Sequence, residues 1–176
     1  MTVKNKINIG VIGFGTIGAS VVKLLLGRRR LFRERTGIDL NLVAVCDKDL
    51  RSKRDVRVPK KMLYRDANKV INNPDIDVIV ELIGGVHPAK EIVMKALTSG
   101  KHVVTANKLL LAAEGEAIFK KAQAMDREIF FEASVAGGVP IINSIRKGLA
   151  ANTFSSIMGI LNGTSNYILS HVQRGC

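Results

Sequence analysis

An α/β fold, built on a parallel sheet with helices on both faces, is predicted by three features of this 176-residue chain. Short apolar runs alternate with stretches of helical spacing, the pattern of a doubly wound sheet. The runs are apolar at successive positions, as strands buried on both faces require. Directly after the first run, Gly13-Phe14-Gly15-Thr16-Ile17-Gly18 places three glycines at the G-x-G-x-x-G spacing, where a strand gives way to a helix.

The elements follow in order. Ile7–Ile12 reads as a buried strand, and the glycines open a helix that continues through Ala19–Leu25. The stretch Arg28–Asp39 extends that helix or its loop, and Leu40–Cys46 is the second strand, ending at Asp47. A basic loop leads to a short helix around Ala67–Ile71, which Pro74 breaks off. Val78–Leu82 is the third strand. Pro88 stands at the first turn of a helix running through Glu91–Leu97, with Gly100 just past its end. His102–Thr105 is the fourth strand, Glu114–Met125 has helical spacing, and Glu128–Glu132 is the fifth strand. The right-handed crossover rule then gives a Rossmann-type wind. Beyond it the chain changes character. Ala133–Pro140 is small and flexible, Ile141–Lys147 forms a short helix, and Thr153–Leu161 reads as a further strand. Asn162-Gly163-Thr164 is a turn, and Ser165–Gln173 begins a helix. A strand followed by one helix cannot cover its own apolar faces, so the chain is expected to stop inside a second domain or to need a second subunit.

The three glycines of the turn serve different ends: a tight bend, close backbone approach to a pyrophosphate, and close packing of helix on strand. The pyrophosphate sits on unpaired N–H groups at the positive end of the helix dipole. The net charge of +12 is concentrated between Arg28 and Lys69. That stretch has little aromatic interleaving and no nucleic-acid module, and Glu34, Asp39, Asp49 and Asp55 interrupt it. It reads as a solvated basic face or as a field that draws in a polyanionic cofactor, rather than as a nucleic-acid surface. No apolar run reaches the roughly 18–20 residues of a membrane helix. The N-terminus enters the first strand too soon for a signal peptide, and Cys46 and Cys176 form neither a disulfide framework nor a metal site. A cytoplasmic setting is expected.

Several residues are candidates for binding or chemistry. Asp47 closes the second strand, where an acid accepts hydrogen bonds from the adenosine ribose hydroxyls and repels a 2′-phosphate; it can equally cap a turn. Lys48, Arg51 and the basic loop argue for the 2′-phosphate, so NAD and NADP both stay open. Ile83 and Gly84 lie on the carboxyl edge of the third strand, where the backbone can approach a nicotinamide ribose or simply turn. Lys108 ends the fourth strand at the same edge. If partly desolvated it suits proton transfer beside a bound nicotinamide; otherwise it is a surface lysine.

Five segments occur in a telling order: Gly13–Gly18, Glu81–Gly85, Val104–Lys108, Phe131–Pro140 and Leu161–Tyr167. Together they resemble the N-terminal half of homoserine dehydrogenase, over essentially the whole chain. The resemblance implies a Rossmann-type NAD(P)-binding domain over 1–133. It also implies the incomplete start of an α+β substrate and dimerisation domain over 134–176. Such enzymes interconvert aspartate semialdehyde and homoserine with NAD(P)H, on the way to threonine and methionine, and the resemblance suggests a homodimer. Phe14, Thr16 and Ile17 would line the pyrophosphate turn. Lys108 would stand beside nicotinamide and substrate. Gly163 and Thr164 would touch the amino acid. Glu132, with the carbonyls of Val135, Gly137 and Val139, would hold a sodium-like cation. The family's second catalytic lysine and its acidic neighbour have no counterpart before Cys176. The chain alone is therefore expected to turn over poorly, and a non-catalytic dinucleotide module or one half of a split dehydrogenase is the alternative.

Overall fold

Six parallel strands in the order β3-β2-β1-β4-β5-β6 form the sheet. They are β1 (Lys6–Ile12), β2 (Asp39–Cys46), β3 (Leu63–Tyr64), β4 (Val78–Glu81), β5 (His102–Thr105) and β6 (Ile129–Phe130). The computed structural model describes residues 5–159 and 163–175. The helices among them are α1 (Thr16–Gly27), α2 (Arg29–Thr36), α3 (Ala67–Ile71), α4 (Ala89–Thr98), α5 (Lys108–Ala124), α6 (Ile141–Asn143) and α7 (Gly163–Gln173). Two compact units result, Met1–Phe130 and Phe131–Cys176.

The doubly wound parallel sheet expected from the alternation is present. β1 lies between β2 and β4, so the chain reverses its direction of winding beside β1. That reversal opens a crevice at the carboxyl ends of β1, β2 and β4, where open α/β sheets place their ligands. The strands are apolar on both faces because both are covered: Val11, Val45, Ile79 and Val103 are wholly buried, as are Val22 of α1, Val93 and Leu97 of α4, and Leu110 and Ile118 of α5. Each such side chain contributes about 1.5–3 kcal/mol on burial.

The structure departs from the expected elements in several places. β3 is an added strand, whose two residues pair with Val45 and Cys46; two residues are too few to show a period. The stretch after α1 is a separate helix: Arg28 leaves helical geometry at φ −118° and ψ 12°, and α2 then ends on Gly37 at φ 73°. α5 begins at Lys108, six residues earlier than the spacing suggested, because the Asn107 side chain accepts the Leu110 amide and caps it. β6 keeps only Ile129 and Phe130 of the expected fifth strand, and Glu132 begins a 3₁₀ turn over Glu132–Ser134.

In the second unit, the short helix expected at Ile141–Lys147 is α6, continued by a π turn over Ser144–Gly148. Residues 153–159 are not a strand. An extended apolar run becomes a strand only when a neighbour completes its ladder, and no described segment of that unit offers one. Positions 160–162 of that expected strand and turn lie outside the described residues. Gly163 and Thr164, expected in the turn, instead begin α7.

Candidate functional site

Local geometry assigns the three glycines of the turn to separate duties. Gly13 adopts φ +103°, and a Cβ there would lie 2.5 Å from the Leu82 backbone. A Cβ on Gly18 would lie 1.9 Å from the Gly13 carbonyl oxygen, so helix and strand touch through bare backbone. At Gly15 a Cβ would meet nothing within 4 Å. Open space in front of the middle glycine is the room a pyrophosphate needs. No side chain caps α1, and its first turn carries no acidic residue, so its leading N–H groups are left to an external acceptor. These residues fit a dinucleotide.

The turn is held in place before any ligand arrives. The Gly13 amide donates to the Cys46 carbonyl at 2.8 Å. The Phe14 amide donates to Asp47 Oδ2, and the Asp49 amide donates to Asp47 Oδ1 at 2.8 Å. Arg54 holds the other side of the same residue: its Nε donates to the Phe14 carbonyl at 2.8 Å, and its guanidinium lies 5.0 Å from the Phe14 ring centroid. Two further donations, to the carbonyls of Ser52 and Asp49, complete the fork. Asp49 is itself held down to about 2 by the Ser52 hydroxyl, then by the Ser52 and Arg51 amides. The loop after β2 therefore grips the glycine turn through both its N–H and its C=O.

This placement changes several expected roles. Both Asp47 oxygens already accept backbone amides, so it is first a brace of the turn. The Phe14 side chain is buried in the core cluster instead of lining the turn, whereas Thr16 and Ile17 are exposed on the first turn of α1. Asp47, Lys48 and Ile83 are brought together with Gly13 and Gly15 around one cavity of about 620 Å³. The same cavity is lined by Arg65, Asp66 and Asn68 at the start of α3 and by Glu91 and Lys95 of α4, none of them singled out from the sequence. The signal that marks them is Asp66, whose side chain caps α3 by accepting the Asn68 amide. Lys95 donates to the Asn68 side chain and joins α4 to α3 across the cavity. Among the described residues neither Lys48 nor Arg65 makes a hydrogen bond or ion pair. Cys46, also on the wall, is buried, and burial together with Asp47 and Asp66 pushes its thiol up to about 11.

Other parts of the basic stretch are neutralised locally. Arg29 makes a two-pronged pair with Asp39 at 2.6 Å, which holds that carboxyl below its usual range, and Arg30 pairs with Glu34 at 2.7 Å.

At the next edge of the sheet, Gly84 turns at φ +83° and Gly85 at φ +73° after β4. Lys108 is the first residue of α5 and is exposed, so the partial burial imagined for it is absent. In the second unit, Glu132 Oε1 accepts the Ile142 amide at 2.8 Å and Oε2 the Asn143 amide at 2.9 Å. The Val139 carbonyl accepts the Ile141 amide at 2.8 Å, and Gly137 takes φ +63°. The carboxylate thus caps α6. Each of these oxygens keeps a second lone pair. Among the described residues no group of three His, Cys, Asp or Glu side chains forms a metal cluster. Gly163 and Thr164 are exposed on the first turn of α7. No described helix is long and apolar enough to cross a membrane.

Residues 13–132 match the family model described as homoserine dehydrogenase, NAD binding domain, and residues 140–176 match that of homoserine dehydrogenase. The homoserine dehydrogenase of Bacillus subtilis (strain 168) is 42% identical over 168 residues, which is 96% of this chain and 39% of that protein. That of Neisseria gonorrhoeae is 44% identical over 168 residues, 96% of this chain and 38% of that protein. Among solved structures, a homoserine dehydrogenase from Thiobacillus denitrificans superposes with a TM-score of 0.86 at 42% identity, covering 96% of this chain and 39% of that one. The chain therefore spans about 39% of the length of the curated relatives it matches.

Proposed function

The chain belongs to the homoserine dehydrogenase family, and from that premise we propose that its glycine turn holds NADP(H), with NAD(H) as a second ligand, for the interconversion of aspartate semialdehyde and homoserine. The observation that carries the cofactor reading is the contrast among the glycines. Two are closed by backbone at 2.5 and 1.9 Å, and the middle one faces open space. In this reading Gly13, Phe14, Gly15, Thr16, Ile17 and Gly18 cradle the pyrophosphate, and the cavity beside Asp47 takes the adenosine. Lys48 and Arg65, cations without internal partners among the described residues, supply charge for a 2′-phosphate, while Asp47 is committed to the turn. That balance favours NADP over NAD.

When bound, the reduced nicotinamide supplies the hydride for the aldehyde carbon. Ile83 and Gly84 shape the floor on the nicotinamide side. Lys108, at the mouth of β5, draws the substrate's carbonyl oxygen toward its ammonium and stabilises the negative charge that gathers there. Gly163 and Thr164 serve the amino acid end of the substrate. Residues 1–133 form the cofactor domain, and 134–176 belong to a substrate and dimerisation domain of a cytoplasmic homodimer.

The test is a titration with NADPH and with NADH, followed by reduced-nicotinamide fluorescence. Saturable binding with the lower Kd for NADPH is expected. Equal or reversed affinities overturn the preference, and no binding of either overturns the cofactor reading.

Glu132 and the carbonyls of Val135, Gly137 and Val139 are assigned to a monovalent cation. All three carbonyls come from a loop bent through Ala136 at φ 52° and Gly137 at φ 63°. A cation bound there draws that loop together, so sodium is expected to slow proteolysis between Ala133 and Pro140 relative to choline at equal ionic strength. Identical cleavage rates in the two salts sink the assignment.

A further inference from the structure

Glu81, the last residue of β4, is wholly buried. Its Oε1 accepts the Ile83 amide at 2.8 Å and the Gly84 amide at 3.4 Å, and its Oε2 accepts the Thr105 hydroxyl at 2.7 Å. The Thr105 oxygen in turn accepts the Asn107 amide at 3.0 Å. Asn107 reaches back, donating from Nδ2 to the Gly85 carbonyl at 2.6 Å, while its Oδ1 caps α5 at Leu110. One carboxylate therefore ties the loop after β4 to the start of α5, and the circuit closes on itself.

Three donors converge on Glu81, the demand that an acceptor-only carboxylate meets. Among the described residues no lysine or arginine pairs with it. A buried charge without a counter-ion is costly, and an apolar side chain is the cheaper occupant of a buried strand end.

What the carboxylate fixes is the backbone of Ile83 and Gly84 and the root of Lys108. Gly84 and Lys108 lie outside the lining of the cavity beside Asp47 and Lys48, and Ile83 lines that cavity at the end of β4. We infer that Glu81 is a positioning residue for the nicotinamide end of the cofactor, acting through the Ile83–Gly84 amides and, by way of Thr105 and Asn107, through the first turn of α5. This rests on the dinucleotide reading above.

The experiment compares NADPH with 2′-phospho-ADP-ribose, which has the same adenosine and pyrophosphate but no nicotinamide, by calorimetry on the whole chain. Glu81→Leu is expected to raise the Kd for NADPH by about tenfold or more, the scale of losing hydrogen bonds to a charged group. It is expected to leave 2′-phospho-ADP-ribose unchanged and to abolish the fluorescence gain of bound NADPH. Glu81→Gln keeps an acceptor for the Ile83 amide and restores most of both signals. Thr105→Val removes only the hydroxyl, and it decides the matter if Glu81→Leu does not fold. It too is expected to weaken NADPH alone. Equal weakening of the two ligands, or unchanged NADPH affinity, overturns the inference. So does wild-type protein that binds both ligands equally, although the dinucleotide reading then stands. Wild-type protein that binds neither overturns that reading as well.

Discussion

Gly18→Ala is expected to cost this chain its native fold. Alanine is the better helix former by about 1 kcal/mol, so propensity alone predicts a more stable α1. The added Cβ would sit 1.9 Å from the Gly13 carbonyl oxygen, and that oxygen belongs to the turn itself. Gly13 cannot yield, because its own missing Cβ already leaves room for the Leu82 backbone at 2.5 Å. Overlap of this kind, backbone against backbone with nowhere to move, falls in the class of about 4 kcal/mol or more, a large part of the ~5–15 kcal/mol that holds a domain together. Steric overlap outweighs propensity here. Thermal unfolding monitored by far-UV circular dichroism checks it, and a Gly18→Ala protein melting with the wild type would show the contact to be soft.

Gly15→Val is expected to do the opposite, sparing the fold and removing the ligand. Gly15 has φ −72° and ψ −159°, a conformation open to any residue, and a Cβ there meets nothing within 4 Å. The change in stability should stay within about 0.5 kcal/mol, as for an ordinary surface substitution. The same empty space is where the pyrophosphate would approach the N–H groups at the start of α1. Filling it should raise the Kd for NADPH by at least about 30-fold, roughly 2 kcal/mol. Unaltered affinity in a Gly15→Val protein would place the phosphates elsewhere. The two substitutions together separate folding from binding within a single turn.

Much of this was legible in the sequence because it is local. Periodicity marked β1, β2, β4 and β5, and His102–Thr105 falls on β5 end for end. Spacing marked the glycines, and five segments in order carried the family. Where reading failed, an element was too short or needed a partner. β3 has two residues and exists only as the neighbour of Val45 and Cys46. The run at 153–159 has strand composition but no ladder to join. α5 started early because Asn107 caps it, and Asn107 is itself set by contact with Gly85, twenty-two residues away.

The sequence by itself determined the fold class and the family, and it marked the glycine turn proposed for the pyrophosphate, since the signals that carry them are short runs and motifs whose residues lie within a few positions of one another. Only the tertiary structure decided what the charged side chains do there. Asp47 reaches Phe14 across 33 positions, Arg54 reaches it across 40, and Glu81 meets Thr105 across 24. Buried donors and acceptors must find partners, and in a parallel sheet those partners stand on neighbouring strands that the chain reaches only after a full crossover. An acid at a strand end therefore reads alike from the sequence whether it faces a ribose or braces a turn, the two roles left open for Asp47, which braces the turn beside the cavity.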